Sequence, residues 1–342
     1  MKILFRVDGG PNVGLGHLIR SIAIARKLKE DYNDTNICFL TNGNQFSTNL
    51  LSQSGFQYIL QEKQSEESFI TDTVKNVHAD VLFIDKLFPY EPVFIREVRK
   101  HTRLCMFHNL CDGAFECNQF ILPASHISDK VLQDKRWTTG KVKLFEGFPY
   151  IVLNDKILIL KRKSNINTHP MHIVLTTGGS DPKGVMIQLL EYLVDFEIKN
   201  IKITALIGET FSHIDEVENL RGNLCHNISI IPFNYTDFAN ADLAVNTFGV
   251  STYELIYLGI PALSIGHAKQ NARGSYLLAK KYGFTQDLGL FDDLTQRKFL
   301  STLNTVITDP TKLEKMQEKS FGVIDGFGAK RVAELINILG SA

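Results

Sequence analysis

The sequence is short of cysteine and has no excess of either charge. It contains five cysteines among 342 residues, and none of them forms a Cys-x-x-Cys pair. Such a scattered, odd-numbered set indicates neither a zinc site nor a disulfide framework, so we expect reduced, mostly buried thiols. Lysine plus arginine and aspartate plus glutamate both number 37, which gives a formal net charge of zero. A global attraction to nucleic acid or to an anionic membrane therefore has no support, although local patches stay open.

Long hydrophobic runs are also missing. The opening apolar run passes directly into Arg6 and Asp8, and no long apolar helix follows it. The sequence thus indicates neither a signal peptide nor a membrane span, and we expect a cytoplasmic location. Hydrophobic residues make up 44% and charged residues 22%, which is typical of soluble globular proteins. The length fits two domains better than a single core.

Short apolar runs alternate with helical patterns in both halves of the chain. The first half has predicted strands at 2–7, 36–41, 57–60, 81–84 and 103–107. A polar stretch at 155–170, with a Lys-Arg-Lys run, is interpreted as a solvated linker, and the alternation then restarts at 172–176. This alternation is typical of parallel, doubly wound sheets. We therefore expect an α/β protein with two Rossmann-like domains, 1–157 and 168–342, that face each other across a cleft.

A glycine-rich loop follows the first predicted strand and leads directly into a helix. It reads Asp8-Gly9-Gly10-Pro11-Asn12-Val13-Gly14-Leu15-Gly16-His17-Leu18-Ile19-Arg20. Glycines let the backbone approach a ligand closely, and the free N–H groups of a helix start favour anions. Gly14 and Gly16 are therefore predicted to bind substrate. The spacing differs from Gly-x-Gly-x-x-Gly, which argues against a nicotinamide cofactor and hence an oxidoreductase.

Two charged side chains and an imidazole accompany this loop. His17 lies where the turn becomes the helix, and it can act there as an acid or a base near neutral pH. The alternative for His17 is a capping or packing role. Arg20 is predicted either to bind substrate or to pair with Asp8, which is itself a candidate substrate ligand.

Two loops in the second half repeat the pattern of a strand, small residues and a helix. The first contains the candidate nucleotide ligands Gly179 and Ser180. The second runs Asn246-Thr247-Phe248-Gly249-Val250-Ser251-Thr252-Tyr253-Glu254. Its helix start, with Gly249, Ser251 and Thr252, suits a diphosphate, and Glu254 can accept hydrogen bonds from a ribose diol. The alternative is a capping box in which Ser251 caps the helix and Glu254 is its partner.

These motifs together resemble nucleotide-sugar enzymes of the two-Rossmann-domain GT-B architecture. The segment from Asp8 to Arg20 is similar to the opening of the pseudaminic acid pathway hydrolases, which release UDP from a 2,4-diacetamido-2,4,6-trideoxy-β-L-altropyranose. Spore-coat polysaccharide proteins belong to the same group. The loops at 178–181 and 251–254 resemble that group and the N-acetylglucosaminyltransferase of peptidoglycan synthesis. The ending Asp325-Gly326-x-Gly328-Ala329-x-Arg331-Val332 is similar to the same group.

The resemblance implies a UDP-sugar substrate and a catalytic His17 that activates water for attack on the anomeric carbon, with UDP as leaving group. It assigns uracil to Phe233, and the ribose and diphosphate to Ser251, Thr252 and Glu254. It assigns the sugar to Gln270 and Asn271. It implies no metal and no cofactor, because helix N-termini serve the diphosphate. The nucleotide sugar is then the partner, without nucleic acid or membrane, and the chain is expected to be a monomer or a weak dimer.

Three positions depart from the hydrolase pattern and keep alternatives open. The third motif reads Thr247-Phe248-Gly249 instead of Ala-Gly-Gly, no tyrosine stands two residues after Asp85, and His108-Asn109 replaces an Asp-Asp pair. Hydrolysis in nonulosonic acid or surface polysaccharide biosynthesis is the first hypothesis. The alternatives are a GT-B glycosyltransferase, for which 87–105 is a candidate apolar patch with basic flanks, and a catalytically silent nucleotide-sugar-binding subunit.

Overall fold

The computed structural model describes residues 1–10, 14–124, 126, 132–163, 165–166, 170–194, 196 and 200–341. The chain divides into two compact units, which are described separately. Unit 1 comprises Met1–Asn154 and Gly326–Ala342, and unit 2 comprises Asp155–Asp325. Residues 11–13 of the glycine loop and residues 164 and 167–169 of the predicted linker lie outside the described residues.

The described part of unit 1 is built on a seven-stranded parallel sheet. Its strands are β1 (Lys2–Val7), β2 (Asn36–Thr41), β3 (Gln57–Leu60), β4 (Val81–Asp85), β5 (Arg103–Phe107), β6 (Gln119–Leu122) and β7 (Lys143–Glu146). The helices between them are α1 (Gly16–Asp31), α2 (Gln45–Gln53), α3 (Glu66–Val77), α4 (Pro92–Val98) and α5 (Arg136–Thr139). The strand order is β3-β2-β1-β4-β5-β6-β7.

Unit 2 has a six-stranded parallel sheet in the order β10-β9-β8-β11-β12-β13. The elements, in chain order, are α6 (Asp155–Leu158), β8 (Met171–Thr176), α7 (Val185–Leu193), β9 (Ile201–Ile207), α8 (Ile214–Leu220), β10 (Ile228–Pro232), α9 (Tyr235–Ala239), β11 (Leu243–Thr247), α10 (Val250–Leu258), β12 (Ala262–Gly266), α11 (Lys269–Tyr282), β13 (Thr285–Leu290), α12 (Gln296–Ile307) and α13 (Pro310–Ser320). The prediction of two parallel, Rossmann-like α/β domains is confirmed.

Both sheets reverse their strand order at the centre, between β1 and β4 in unit 1 and between β8 and β11 in unit 2. In open α/β sheets, ligands bind outside the carboxyl ends of the strands at such a reversal. In unit 1 these ends carry Asp8 and Asp85. In unit 2 they lead to Gly178 and Gly249. The topology therefore places the predicted loops where binding sites form.

A row of phenylalanine rings crosses the centre of the unit 1 sheet. Phe39, Phe5, Phe83 and Phe107 stand on the adjacent strands β2, β1, β4 and β5, with successive ring centroids 5.1, 5.0 and 5.9 Å apart. All four rings are buried. Burial stabilises each by about 2–3 kcal/mol, and each ring pair adds roughly 0.5–1.5 kcal/mol. This row forms a rigid floor beneath α1.

The last helix, α14 (Gly328–Ser341), belongs to unit 1. Its buried side chains recur at helical spacing and join the same core cluster as α1; they are Ala329, Val332, Ala333, Ile336 and Leu339. A Cβ atom on Gly328 would overlap the Ile151 carbonyl oxygen, so only glycine permits this close entry into the helix. The predicted second domain, 168–342, therefore differs from unit 2 by this helix.

The predicted linker also differs from the structure. Residues 155–158 form α6 in unit 2, and the basic run behind it packs against that unit. Lys163 pairs with the buried Asp242 at 2.6 Å, and the Arg162 guanidinium lies 4.2 Å from the ring centroid of Tyr257. A solvated linker is therefore wrong for Arg162 and Lys163, because specific partners on unit 2 bind their charges.

Candidate functional site

Two backbone hydrogen bonds close the glycine loop before α1. Gly10 N–H donates to Gly14 O at 3.2 Å, and Gly14 N–H donates to Gly10 O at 2.7 Å. Gly10 and Gly14 have φ values of +139° and +78°, which glycine alone adopts readily. Among the described residues, no heavy atom other than the chain neighbours lies within 4 Å of the Cβ position of Gly14. The loop is thus a tight turn with open space on one side.

The N-terminus of α1 carries no cap. Within the described residues its N-cap, Leu15, makes no side-chain hydrogen bond to the first turn, and that turn contains no acidic residue. The N–H groups at a helix start have no partner within the helix and favour anions. The geometry therefore supports the prediction that Gly14 and Gly16 present this end to an anionic ligand.

His17 contacts a buried carboxylate at the end of β4. Its Nδ1 lies 2.8 Å from Oδ1 of Asp85, whose side chain is fully buried. Arg20 also binds Asp85, with Nε 2.5 Å from Oδ2 and a short contact from Nη2 to Oδ1. Arg20 thus pairs with Asp85 and leaves Asp8 to other partners.

The protonation of His17 follows from its neighbours. Arg20 Nη2 lies 2.9 Å from Nδ1 of His17, and both nitrogens approach the same oxygen of Asp85. An unprotonated Nδ1 would direct its lone pair at that carboxylate, which is repulsive, and Arg20 already has both oxygens of Asp85 as its acceptors. We therefore assign the hydrogen to Nδ1, which donates it to Asp85. In the unprotonated ring the lone pair is then on Nε2. Among the described residues Nε2 has no hydrogen-bond partner, which suits a general base.

Asp85 stays ionised although it is buried. Burial alone would raise the pKa of its carboxyl, but the charges of Arg20 and His17 outweigh burial and hold the pKa well below its usual value. Ser21 donates a further hydrogen bond to Oδ2 at 3.2 Å. The Arg20 guanidinium lies 4.9 Å from the ring centroid of Phe107, at the end of the phenylalanine row. The core thus fixes the orientation of the His17–Asp85 pair.

The pair His108-Asn109 follows β5 at the same edge of the sheet. Burial, together with the charges of Arg20 and His17, lowers the pKa of His108 to about 3, so its imidazole is neutral at physiological pH. His108 has a φ of +60°, which is uncommon outside glycine. Asn109 donates to the carbonyl oxygens of Lys86 and Phe88 at 2.8 and 2.7 Å. An ionised aspartate at 109 has no hydrogen to donate to these carbonyl oxygens. The asparagine at this position therefore fixes the backbone that follows Asp85.

Asp8 belongs to a buried charge cluster, defined as Arg6, Asp8, Glu66, Lys86 and Tyr90. Arg6 binds Asp8 at 2.5 Å and Glu66 at 2.6 Å, and Lys86 bridges both carboxylates at 2.8 and 2.7 Å. The Tyr90 hydroxyl donates to Glu66 at 2.6 Å. Against the effect of burial, the cations lower the pKa of both acids. Both oxygens of Asp8 are engaged, so the geometry favours support of the loop over contact with substrate.

In unit 2 the helix start at Gly249 is organised by Thr252. Gly249 is the N-cap of α10, and its N–H donates to Thr252 Oγ1 at 3.2 Å. Asn246 Nδ2 also donates to Thr252 Oγ1, at 2.8 Å. Thr252 is fully buried, so its hydroxyl fixes the loop from the interior of the unit. The alternative capping box is wrong, because the N-cap of α10 is Gly249, two residues before Ser251.

Glu254 lies one turn into α10 and has an uncompensated carboxylate. Its side chain is buried, with a relative exposure of 8%, and no cation or hydrogen-bond donor is recorded beside it among the described residues. Burial raises the pKa of Glu254 to about 7. Buried acceptors without partners are costly and are found where a ligand completes them. The geometry is compatible with the predicted ribose contact.

The loop with Gly179 and Ser180 is arranged differently. The carboxylate of Asp181 accepts hydrogen bonds from Val185 N–H and Met186 N–H at 3.0 and 2.8 Å, so this chain fills its own helix N-terminus. The Gly179 carbonyl accepts from Thr210 N–H at 3.2 Å, and Ser212 binds the Ser180 carbonyl. No free helix start remains here for a phosphate, in contrast to α1 and α10.

The remaining predicted ligands stand at the same edge of unit 2. Phe233 follows β10, and its N–H donates to Ile207 O at 2.8 Å. Asn271 Nδ2 donates to Phe248 O at 3.2 Å, which ties the start of α11 to the loop before α10. Gln270 is exposed. Within unit 2 the structure therefore brings Asn271 close to the Gly249 loop.

Asp85 is the functional side chain that the sequence analysis left out. A carboxylate that directly ends a fully buried strand was the available signal, because the carboxyl end of a central strand is where parallel sheets bind ligands. Which strand would lie beside β1 was not readable from local patterns. The partner of His17 could therefore be found only after the strand order was known.

The fold and both helix starts define a class: two parallel-sheet Rossmann-like units of the GT-B type. No family model matches the chain. The chain is 26% identical over 274 residues to an uncharacterized protein of Methanocaldococcus jannaschii, covering 77% of this chain and 55%, about half, of that protein. It is 22% identical over 350 residues to the spore coat polysaccharide biosynthesis protein SpsG of Bacillus subtilis, covering 99% and 98% of the two chains.

Other comparisons extend over the whole chain. A UDP-N-acetylglucosamine–N-acetylmuramyl-(pentapeptide) pyrophosphoryl-undecaprenol N-acetylglucosamine transferase of Caldanaerobacter subterraneus is 22% identical over 383 residues, with 99% and 100% coverage. The crystal structure of Acinetobacter baumannii MurG matches with a TM-score of 0.68 at 13% identity, covering 99% and 100% of the chains. A Staphylococcus aureus MnaA–UDP structure matches with 0.67 at 13%, covering 98% and 96%. At these identities the structures establish the fold alone.

Within the described residues, no helix has the length and apolar character needed to cross a membrane.

Proposed function

We propose that this protein is a glycosyltransferase of the GT-B type that transfers a sugar from UDP to an acceptor hydroxyl in polysaccharide biosynthesis. The observation that carries the proposal is the His17–Asp85 pair, which leaves Nε2 as an oriented base beside an uncapped helix start. The relationship to SpsG supports polysaccharide biosynthesis, and that to the N-acetylglucosamine transferase supports a UDP-sugar donor.

The proposed reaction forms one bond and breaks one. His17 Nε2 takes the proton of the acceptor hydroxyl, whose oxygen attacks the anomeric carbon of the donor sugar. The bond from that carbon to the diphosphate oxygen breaks, and UDP leaves with the electron pair. Asp85 stabilises the imidazolium that forms, because it is ionised and already bonded to Nδ1. UDP leaves as a stabilised anion, so a second acid is not required.

The nucleotide is assigned to unit 2. In the proposal the start of α10, at Gly249 and Ser251, faces the diphosphate, where helix N–H groups favour anions. Thr252 shapes this loop from below. Glu254 accepts hydrogen bonds from the ribose diol, which supplies the donors that its buried carboxylate otherwise lacks. Phe233, Gln270 and Asn271 stay the candidates for uracil and sugar.

Hydrolysis of a UDP-diacetamido sugar is the second candidate. The observation that favours it is the segment from Asp8 to Arg20, which resembles the opening of hydrolases of the pseudaminic acid pathway. The same base would then take its proton from water. The whole-chain relationship to a transferase favours transfer over hydrolysis.

The decisive experiment follows UDP release by NMR. Purified protein is incubated with UDP-N-acetylglucosamine or a UDP-diacetamido sugar, each with and without polysaccharide and lipid-linked acceptors. We expect release only when an acceptor is present, and a loss of about 100-fold or more in His17→Ala. His101→Ala, at an exposed histidine of the same unit, is the matched control. Release without acceptor would identify a hydrolase, and donor binding without turnover would identify a silent subunit; either overturns transfer.

A further inference from the structure

A cavity of unit 2 lies away from the proposed nucleotide loops. It is a groove of about 540 Å³ between α11, the start of β13, and α13. Thr285, which lines it, is the first residue of β13, whereas the proposed nucleotide loops follow the carboxyl ends of the strands. Because the strands are parallel, the groove opens at the opposite edge of the sheet. No step of the proposed function uses it.

Four lysines line this groove, which is called the lysine groove below. Lys312, Lys315 and Lys319 recur at helical spacing along one face of α13, and Lys280 comes from α11. Within the described residues none of the four forms an ion pair within 4.0 Å of a carboxylate, in contrast to Lys86 and Lys163. The chain therefore collects positive charge here without neutralising it, which attracts multiply charged anions.

The acidic residue that lines the groove does not cancel this excess. Asp287 is the acidic residue of the lining, and its carboxylate accepts hydrogen bonds from Ser275 Oγ at 2.5 Å and from Gly289 N–H at 3.2 Å. Asp309, at the start of α13, feels the charge of Lys312 but does not line the groove. Four cations thus face one carboxylate that is already bonded.

The lining of the groove also contains a buried hydroxyl, that of Thr285. Thr285 is 5% exposed, and its Oγ1 has no hydrogen-bond partner among the described residues. A buried hydroxyl without a partner costs about 1–3 kcal/mol, and such groups in native proteins need an explanation. A phosphate oxygen in the groove would accept the Thr285 hydrogen while the lysines neutralise the charge.

We propose that the lysine groove binds the phosphates of a ligand that carries at least two of them in a row. A single carboxylate would leave most of the lysines unpaired, whereas a diphosphate presents several acceptor oxygens and more charge. The volume lies within the range of small-molecule sites. Such phosphates belong either to a soluble molecule or to a phosphorylated surface, and the two sources share the same recognition chemistry.

The test uses the whole chain with saturating UDP present, so that the proposed nucleotide loops are filled. Pyrophosphate and tripolyphosphate are titrated by calorimetry into the native protein, into Lys315→Gln/Lys319→Gln, and into the control Lys141→Gln/Lys143→Gln. The control removes the same charge from exposed lysines of unit 1. We expect binding that weakens about tenfold or more in the groove variant, that falls as salt rises, and that is unchanged in the control.

Thr285→Val distinguishes binding that uses the Thr285 hydroxyl from attraction by the lysine charges alone. Valine keeps the shape of threonine and removes the unpaired hydroxyl, so we expect an intact fold by thermal denaturation with severalfold weaker pyrophosphate binding. A parallel arm measures sedimentation with phosphatidylcholine vesicles that contain or lack phosphatidylglycerol. Binding that requires the lysines but only on vesicles would assign the phosphates to a surface. Equal pyrophosphate binding in the groove and control variants, or no binding of either probe, would overturn the proposal.

Discussion

The two units place buried carboxylates at the same edge of their sheets but treat them in opposite ways. In unit 1, Asp8, Glu66 and Asp85 are all buried, and each is bound by at least one cation. In unit 2, Glu254 is buried, and no cation of the described residues pairs with it. The pKa of the unit 1 acids is lowered and that of Glu254 is raised to about 7. Buried carboxylates at the same edge of the two sheets thus have two electrostatic roles.

The difference separates positioning from binding. A carboxylate whose oxygens are used by arginine, lysine and histidine has no capacity left for a ligand, so it orients its neighbours instead. A carboxylate that is desolvated and unpaired is unstable by itself and is completed by donors from outside. By this criterion the unit 1 acids hold the loop and His17 in place, and Glu254 is the acid that we propose to contact the nucleotide.

Replacing Asp85 by asparagine is expected to have the largest effect. An asparagine amide donates to Nδ1 and forces the hydrogen of His17 onto Nε2, so the base is lost while the shape is kept. We expect the turnover number to fall by about 10³–10⁴-fold with a smaller change in donor affinity. Steady-state kinetics with donor and acceptor measure both.

Ser21→Ala is the matched control for Asp85, because it removes one hydrogen bond to the same carboxylate and leaves the tautomer unchanged. We expect it to retain turnover within about tenfold. The fold of unit 1 is followed through Trp137, which is the single tryptophan of the chain and is buried in that unit. Comparable turnover in Asp85→Asn and Ser21→Ala would contradict the positioning role.

Arg6→Met is expected to have the second largest effect, and it acts on stability. The substitution leaves Asp8 and Glu66 buried with Lys86 as their remaining cation, and breaking a buried ion pair costs about 3–5 kcal/mol. Urea unfolding followed by Trp137 fluorescence measures the loss in unit 1. Arg6→Lys keeps the charge but not the two-pronged geometry, so we expect a smaller loss. A change below about 1 kcal/mol in Arg6→Met would show that the charge cluster does not hold unit 1 together.

Glu254→Gln is expected to stabilise the free protein and to weaken nucleotide binding. Between the unfolded pKa of 4.5 and the folded pKa of about 7, the native state holds a proton that the unfolded state has released. Stability therefore falls as pH rises through this window. Glutamine has no such penalty, so the variant should match the native protein at pH 4.5 and exceed it at pH 8 by on the order of 3 kcal/mol.

Circular dichroism measures this gain as a function of pH, and calorimetry measures the affinity for UDP. We expect UDP affinity to fall about tenfold or more at pH 8, because glutamine accepts hydrogen bonds less strongly than a carboxylate. A variant that gains stability but keeps its UDP affinity would remove Glu254 from the proposed nucleotide site. A variant that loses stability would show that the carboxylate has a partner in the free protein.

Local patterns were sufficient for most of the architecture. The apolar runs at 2–7, 36–41 and 81–84 and the helices predicted near 66–77 and at 328–338 correspond to elements of the structure. The strands β6, β7 and β13 were not predicted. Two of these have only four residues. The third, β13, contains a glycine, and its pairing with β12 shifts register. Such strands form because a neighbouring strand offers hydrogen bonds, not because of their own pattern.

Tertiary information was needed for the rest. The sequence predicts the apolar face of α14 but not the unit on which it packs, because an apolar face can pack on any hydrophobic surface. The same holds for Arg6, which reads as an ordinary strand residue and is the fully buried centre of the charge cluster. The glycine loop and His17 were predictable because their chemistry lies in consecutive residues. The partner Asp85 is 68 residues away from His17.

Asp181→Ala is expected to have the smallest effect, and it tests the contrast between a filled and an open helix start. Alanine removes the acceptor for Val185 and Met186 N–H, which costs about 1 kcal/mol in unit 2. Circular dichroism should detect this loss, while the Trp137 transition of unit 1 stays unchanged. Asp181→Asn keeps an acceptor and should restore the stability. Because the two N–H groups become free in alanine alone, that variant should also gain weak affinity for inorganic phosphate. Phosphate binding by the native protein at this loop would contradict the view that the chain fills this helix start itself.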